Sequence, residues 1–175
     1  MFNPSPTTNE SSLRQRRGRK VGDLYPDAIP IVIYESVLER ILDFSQSDVS
    51  RELGGFLVGV QAEDPQPHVE IRRFLPAIGT RQELMSITFT HESWSAVTRE
   101  LDACFPDERV VGWQHTHPGF GIFLSSYDLF IHRHFFSAPW QVALVVDPRR
   151  QEFGFFQWRG SEIVDCGFVC VEDNE

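Results

Sequence analysis

The strongest constraint on the fold is a pair of apolar runs, at residues 53–61 and 68–77, separated by the polar, proline-marked segment AEDPQP. Strand-forming runs joined by a short turn of this composition are typical of an antiparallel β-hairpin. The chain must therefore build a β-sheet, and its other elements have to pair with that hairpin or pack on it.

Strands and helices follow one another along the rest of the chain. Apolar side chains at helical spacing predict helices over residues 35–46, 91–105 and 125–136. Further strands are predicted at residues 29–34, 86–90, 108–117, 138–148, 151–159 and 162–171. This order indicates an α/β (mixed α+β) domain, with a curved, mostly antiparallel sheet flanked by helices.

Composition divides the chain near residue 24. The first 24 residues are polar, rich in Ser, Thr, Pro and Arg, and without periodicity, so we expect a flexible basic leader over residues 1–24. The remainder, residues 25–175, is long enough for one domain, and a chain that is 41% hydrophobic can fill its core.

Charge and hydropathy exclude several classes of partner. The net charge of −9 combines +4 in residues 1–20 with −13 in the remainder. Nucleic-acid phosphates require a basic face, so an acidic body argues against nucleic acid. No run of about 18 apolar residues occurs and no signal peptide is recognisable, so we expect no membrane partner and a cytoplasmic location.

The three cysteines, Cys104, Cys166 and Cys170, are odd in number and form no Cys-x-x-Cys pair, which favours a reducing compartment. Cys166 and Cys170, four residues apart, are open to metal ligation. We favour the alternative that they are small buried residues, which is the usual role of free cysteine.

The stretch HTHPGFGIFLSSYD carries the candidate chemistry. His115 and His117 are two residues apart on a predicted strand, so their side chains project from the same face. Ser125 and Asp128 are three residues apart at a predicted helix start, a spacing that again places both on one side. The intervening PGFG turn is able to bring the aspartate back to the histidines.

Two imidazoles and one carboxylate leave a fourth tetrahedral position for water, which is the arrangement of catalytic zinc. Such chemistry also needs a base. Glu52 is the candidate, because it precedes a strand start in which Gly54 and Gly55 permit a close backbone approach. Taken singly, a glutamate before a strand is more often an exposed surface residue, and a histidine is more often a structural residue than a ligand.

Taken together, these residues form a pattern that resembles the motif of a known family. The order His-x-His-Pro, six residues, then Ser-x-x-Asp, with Glu-x-Gly-Gly upstream, resembles the JAMM motif of the MPN (JAB) superfamily. The runs GWQHTHPGFGIFLSSYDL and QEFGFFQW are similar to the AMSH-type branch of deubiquitinases. The matching residues are Glu52, His115, His117, Pro118, Ser125 and Asp128.

The resemblance implies a role for each residue. It implies one Zn²⁺ per chain on His115, His117 and Asp128, Glu52 as general base, and Ser125 as a hydrogen-bond donor to the oxyanion. Capping of the helix by Ser125 is a second role, compatible with the first.

The resemblance also implies a function. It predicts a zinc isopeptidase that removes ubiquitin or a ubiquitin-like protein from conjugates, or processes its C-terminal tail, with E1-like or E2-like proteins encoded nearby and a role in antiviral defence. Compact members of the family also resemble enzymes that process sulfur carriers or small peptides. A third alternative, from a different class, is a metal-free MPN scaffold.

Some features depart from the AMSH-type pattern or stay open. Ten residues separate Asp128 from Pro139, which leaves no obvious room for the second, structural zinc site of eukaryotic AMSH-type enzymes. A second metal on His132 and His134 is disfavoured, because residues two apart on a helix point to different faces. A groove for the substrate tail and a place in the core are equally open to Trp113 and Phe120. His68 and His91 are expected to be structural residues at a strand edge and a helix start.

Overall fold

The computed structural model describes residues 18–77, 81–83 and 86–173. Its strands are β1 (Gly18–Val21), β2 (Ile31–Tyr34), β3 (Gly54–Ala62), β4 (His68–Pro76), β5 (Arg81–Glu83), β6 (Ser86–Thr88), β7 (Arg109–Thr116), β8 (Val142–Asp147), β9 (Glu152–Arg159), β10 (Glu162–Cys166) and β11 (Phe168–Val171). Its helices are α1 (Glu35–Gln46), α2 (His91–Cys104) and α3 (Ser126–Phe135). None of these described helices has the length and apolar character needed to span a membrane.

Nine of the described strands form one sheet, in the order β1-β11-β2-β4-β3-β7-β8-β9-β10, and β5 pairs separately with β6. The neighbours β11–β2, β2–β4 and β7–β8 are parallel, and the other neighbours are antiparallel. The predicted α/β class with a mostly antiparallel sheet is therefore confirmed. The predicted hairpin is the antiparallel pair β3–β4 at the centre of this order.

Helices cover both faces of the sheet, so its central strands are buried on both sides. In β8, Val142, Leu144 and Val146 enter the core beneath α1, whereas Ala143 and Val145 enter the core beneath α2 and α3. This alternation follows from the two-residue period of a strand. It explains why the β8 segment is a nearly continuous apolar run rather than an alternating one.

The β3–β4 pair is unusually close at Gly59. A Cβ atom added there would lie 1.8 Å from the Glu70 carbonyl oxygen, so only glycine fits without movement of the backbone. The strand register shifts at the same point, between Val58 and Gly59. The bulge and the glycine together allow β3 to pair with β4 on one side and β7 on the other.

Two predicted boundaries need correction. Composition places Gly18–Val21 in the leader that ends at residue 24, but this segment forms β1 and pairs antiparallel with β11. The predicted strand at residues 162–171 is two strands, because the chain changes partners at Gly167: β10 pairs with β9, and β11 pairs with β1 and β2. Residues 1–17 of the predicted leader lie outside the described residues.

A buried ion cluster stabilises β4. Glu70, with a side chain 6% exposed, accepts hydrogen bonds from Nε and Nη2 of Arg72 at 3.0 and 2.8 Å. His68 Nε2 lies 3.2 Å from the same carboxylate. The hydrogen bond with His68, followed by the contacts with Arg72, holds the pKa of Glu70 at about 2. His68 is thus a structural residue at the strand edge, as predicted.

This cluster predicts a pH dependence of stability. The pKa of Glu70 is lower in the folded chain, about 2, than its ordinary value of 4.5, so its stabilisation is complete above pH 4.5 and is lost as the pH falls toward 2. His68 is protonated in both states across that window and adds no slope. Glu70→Gln is expected to lower the free energy of unfolding at pH 7 by on the order of 2 kcal/mol and to flatten its decline below pH 4.5.

Urea unfolding of the parent and the Glu70→Gln variant at several pH values measures both effects. Glu39→Gln, at an exposed position on α1, is the control and should follow the parent. Equal slopes for the parent and the Glu70 variant below pH 4.5 would show that the cluster contributes no pH-dependent stability.

Candidate metal centre

The end of β7 places both histidines of the His-x-His motif at the middle of the sheet. His115 is paired with Gly54 of β3 on one side and with Val145 of β8 on the other. Beyond Thr116 the main chain stays attached, because the His117 N–H donates to the Val146 carbonyl at 2.8 Å. The two imidazoles are therefore held by a backbone that is hydrogen-bonded on both sides.

The N-terminus of α3 brings the aspartate. Ser125 is the N-cap residue: its Oγ accepts from the Asp128 N–H at 3.1 Å, and its own N–H donates to Asp128 Oδ2 at 2.8 Å. This reciprocal capping box fixes the first turn of the helix and the rotamer of the carboxylate together. The predicted capping role of Ser125 is confirmed.

The three side chains converge. His115 Nε2 and His117 Nε2 are 3.0 Å apart, and each lies 3.3 Å from Asp128 Oδ2. With metal–ligand bonds of about 2.0–2.1 Å, the donor atoms of a tetrahedral zinc site lie about 3.3–3.4 Å from one another. All three residues are buried, and their donor atoms are grouped closely enough to hold one metal ion.

The contacts of each ring fix its orientation. His117 Nδ1 faces the Gly121 carbonyl at 3.3 Å, so in the neutral ring Nδ1 carries the proton and Nε2 keeps the lone pair that a metal needs. The His115 ring stacks on Trp113, with centroids 4.4 Å apart and planes 11° apart. Trp113 in turn donates from Nε1 to His132 Nδ1 at 3.0 Å, which ties β7 to α3.

Burial and hydrogen bonding also set the charge states. Burial opposes ionisation of Asp128, but the hydrogen bonds with His115 and His117 outweigh it and hold the pKa of Asp128 well below its usual range. Complete burial lowers the pKa of His115. Burial also opposes the charge of His117, yet its contact with Asp128 and the charge of Glu52 raise its pKa overall. An anionic carboxylate beside a neutral imidazole is a donor set that suits a divalent metal.

Glu52 reaches this cluster through the residue that follows it. Leu53 is bonded to Thr116 in both directions: its N–H donates to Thr116 Oγ1 at 2.8 Å, and its carbonyl accepts from the Thr116 N–H at 2.9 Å. Because Thr116 lies between the two histidines, this pairing fixes Glu52 beside them.

Glu52 is buried, with 8% of the residue exposed, and within the described part of the chain its Oε2 has no hydrogen-bond partner. Burial, modified by the charges of His117 and Asp128, raises the pKa of Glu52 to about 7. A carboxyl group with that pKa is able both to accept and to release a proton near neutral pH.

Other candidates from the sequence lie outside the cluster. Trp113 is fully buried and belongs to the core rather than to a groove, whereas Phe120 is 55% exposed. His132 is buried and His134 is exposed, so they do not face a common metal. Cys170 is buried as expected.

Two further cysteines also lie outside it. Cys104, the last residue of α2, is exposed. Cys166 is partly buried, and burial raises the pKa of its thiol to about 12.

One residue of the site was missed from the sequence. Asp147, the last residue of β8, is fully buried and accepts hydrogen bonds from the N–H groups of Gly119 and Gly121 in the loop that follows His117. Its one local signal is a carboxylate at the end of an apolar strand, just before Pro148.

The chain is similar to a known family and to known proteins. The sequence model of the family described as "JAB1/Mov34/MPN/PAD-1 ubiquitin protease" matches residues 29–138. The 26S proteasome non-ATPase regulatory subunit 14 of Dictyostelium discoideum is 30% identical over 159 residues, which are 87% of this chain and 48% of that protein. The ubiquitin carboxyl-terminal hydrolase RPN11 of Saccharomyces cerevisiae is 29% identical over 139 residues, 78% of this chain and 44% of that protein. The chain thus spans less than half the length of these relatives.

A solved structure shows the same fold. Protein DSY2949 of Desulfitobacterium hafniense superposes with a TM-score of 0.64 at 16% identity, over 83% of this chain and 94% of the other.

Proposed function

The chain belongs to the JAB family, and on that premise we propose that it is a zinc-dependent isopeptidase that removes ubiquitin or a ubiquitin-like protein from conjugates, or processes its C-terminal tail. The observation that carries the proposal is the convergence of two imidazoles and one carboxylate beside a buried glutamate. A relative named as a ubiquitin carboxyl-terminal hydrolase supports the class of substrate.

The described residues fit zinc. His115 Nε2, His117 Nε2 and Asp128 Oδ2 would hold the ion, and three protein ligands leave one position open, as catalytic sites require. When bound, zinc supplies an activated water and polarises the scissile carbonyl. A fourth His or Cys ligand, which would close the site, is not part of this group in the described residues.

Glu52 moves the proton in this proposal. Its free Oε2 accepts a proton from the attacking water and then delivers it to the lysine amine that leaves. Both transfers need a group that is stable in either protonation state near neutral pH, and burial gives Glu52 a pKa of about 7.

Ser125 stabilises the oxyanion in this proposal. Its Oγ accepts the Asp128 N–H of the cap, which leaves its own hydroxyl hydrogen free to donate. Capping and oxyanion binding therefore use different parts of one hydroxyl group.

Exposed aromatic side chains next to the cluster provide a surface for the substrate tail. Phe123 is 44% exposed, and its ring centroid lies 4.7 Å from that of His117. Phe120, on the same loop, is also exposed. We assign the groove for the tail to Phe120 and Phe123, since Trp113 is buried.

A cleavage panel tests the proposal. The purified chain is incubated with lysine-linked ubiquitin, with lysine conjugates of several ubiquitin-like proteins, and with sulfur carriers extended at their C-termini. We expect cleavage after the C-terminal glycine of at least one conjugate, inhibited by 1,10-phenanthroline and restored by Zn²⁺. Cleavage of the extended carriers alone would favour carrier processing. A protein that neither binds zinc nor cleaves any substrate would favour the metal-free scaffold.

A further inference from the structure

Asp147 gathers four main-chain N–H groups around one buried carboxylate. Oδ1 accepts from Gly119, Arg149 and Arg150 at 2.9, 3.0 and 3.1 Å, and Oδ2 accepts from Gly121 at 2.8 Å. Burial opposes ionisation, but these hydrogen bonds outweigh it and hold the pKa of Asp147 below its ordinary value. The carboxylate is therefore an anion that joins two loops, the one after β7 and the one after β8.

The first of these loops carries the contact that orients His117. Gly119 and Gly121 have φ values of +82° and +84°. Glycine adopts positive and negative φ about equally, so hydrogen bonds from outside the loop are needed to select this conformation. Asp147 Oδ2 supplies that support at the Gly121 N–H. The carbonyl of the same Gly121 faces His117 Nδ1 and keeps Nε2 directed at the cluster.

The second loop reaches the segment that carries Glu52. Gln46, the last residue of α1, donates from Nε2 to the Pro148 carbonyl at 2.6 Å. Arg149 donates from Nε to the Val49 carbonyl at 3.2 Å. The turn that begins at Asp147 is thus bonded both to the loop after His117 and to the segment before Glu52.

We propose that Asp147 is a positioning residue of the metal centre, which acts through Gly121 to hold His117 in the orientation and tautomer that ligation requires. This inference rests on the metal site of the proposed function. In the described residues, the Asp147 carboxylate makes no hydrogen bond with any of the three ligands. It acts on His117 through Gly121, whose N–H binds Asp147 and whose carbonyl faces the His117 ring. Outer contacts of this kind typically change metal affinity by about 10–100-fold.

Asp147→Asn removes the contact with Gly121, together with the charge that faces Arg150 Nε at 3.6 Å. The amide oxygen of the asparagine can accept from the three N–H groups that bind Oδ1. Its NH₂ group then faces the Gly121 N–H, and because both are donors the hydrogen bond with Gly121 is lost. We expect the variant to bind Zn²⁺ about 10–100-fold more weakly in competition with a chelator. In the metal-free protein, we expect exchange of the Gly121 amide hydrogen to become at least about 10-fold faster.

Glu70→Gln is the matched control, because it removes the charge of another buried, hydrogen-bonded carboxylate that lies on β4. It should lower stability without changing zinc affinity. Equal zinc affinity in Asp147→Asn and the parent, or an equal loss in Glu70→Gln, would overturn the proposal.

A measurement on the parent covers the case in which Asp147→Asn does not fold. If the Gly119 and Gly121 amides of the metal-free parent exchange as fast as those of the exposed turn at residues 63–66, Asp147 does not hold the loop and the proposal fails. A parent that binds zinc but cleaves no conjugate would overturn the proposed function and leave this inference standing. A parent that binds no zinc would overturn both.

Discussion

Glu52→Gln is expected to lower kcat for conjugate cleavage by about 10²–10⁴-fold while zinc content stays at the level of the parent. The amide has nearly the same shape as the carboxylate but cannot accept the proton of the attacking water. Glu52 is also outside the group that would hold the metal, so its replacement should leave the ion bound. Steady-state kinetics with a ubiquitin or ubiquitin-like conjugate, with elemental analysis of the same samples, measures both quantities.

The control for this variant is Glu39→Gln, which changes the net charge equally at an exposed position. It should keep the kcat of the parent. Parental kcat in Glu52→Gln would remove Glu52 from the mechanism, and simultaneous loss of zinc would make it a ligand rather than a base.

Asp128→Asn is expected to remove both zinc binding and activity. The carboxylate is the one anion among the three donor residues, and its Oδ2 is the atom that lies 3.3 Å from both imidazoles. Loss of a metal that stabilises charge by several kcal/mol corresponds to a fall in rate of about 10³-fold or more.

Thermal unfolding supplies a second measurement of the same variant. A ligand that binds only the folded state, at about 100 times its Kd, adds about 2.7 kcal/mol of stability. Zinc should therefore raise the Tm of the parent and leave that of Asp128→Asn unchanged.

Ser125→Ala separates the cap from the metal, because it removes the Oγ that accepts from the Asp128 N–H and leaves the Asp128 carboxylate in place. It should lose about 1 kcal/mol of stability and still respond to zinc. A Tm of Asp128→Asn that rises with zinc as much as that of the parent would exclude Asp128 as a ligand.

Features that depend on short stretches of sequence were predictable. The periodicity of ESVLERILDFSQ predicts helix α1 with its observed bounds, Glu35–Gln46. The spacings of His-x-His and Ser-x-x-Asp place side chains on one face of a strand and of a helix, and the structure brings His115, His117 and Asp128 together. Local spacing determines local direction, and the turn between the two motifs is short.

Features that depend on distant partners were not predictable. Gly18–Val21 has the polar composition of a leader, and it is a strand because β11 offers it an antiparallel edge. Asp147 is one of many carboxylates in the sequence, and its importance comes from N–H groups of a loop some 26 residues away. Trp113 was equally consistent with a groove and with the core, since its burial depends on α3 packing over it.

X-ray absorption at the zinc edge of the purified protein tests the metal centre most directly. We expect one zinc per chain with only nitrogen and oxygen neighbours at about 2.0–2.2 Å, two of them with the outer-shell scattering of imidazole. Sulfur neighbours at about 2.3 Å would instead place the ion on cysteine thiolates and contradict the assignment of His115, His117 and Asp128.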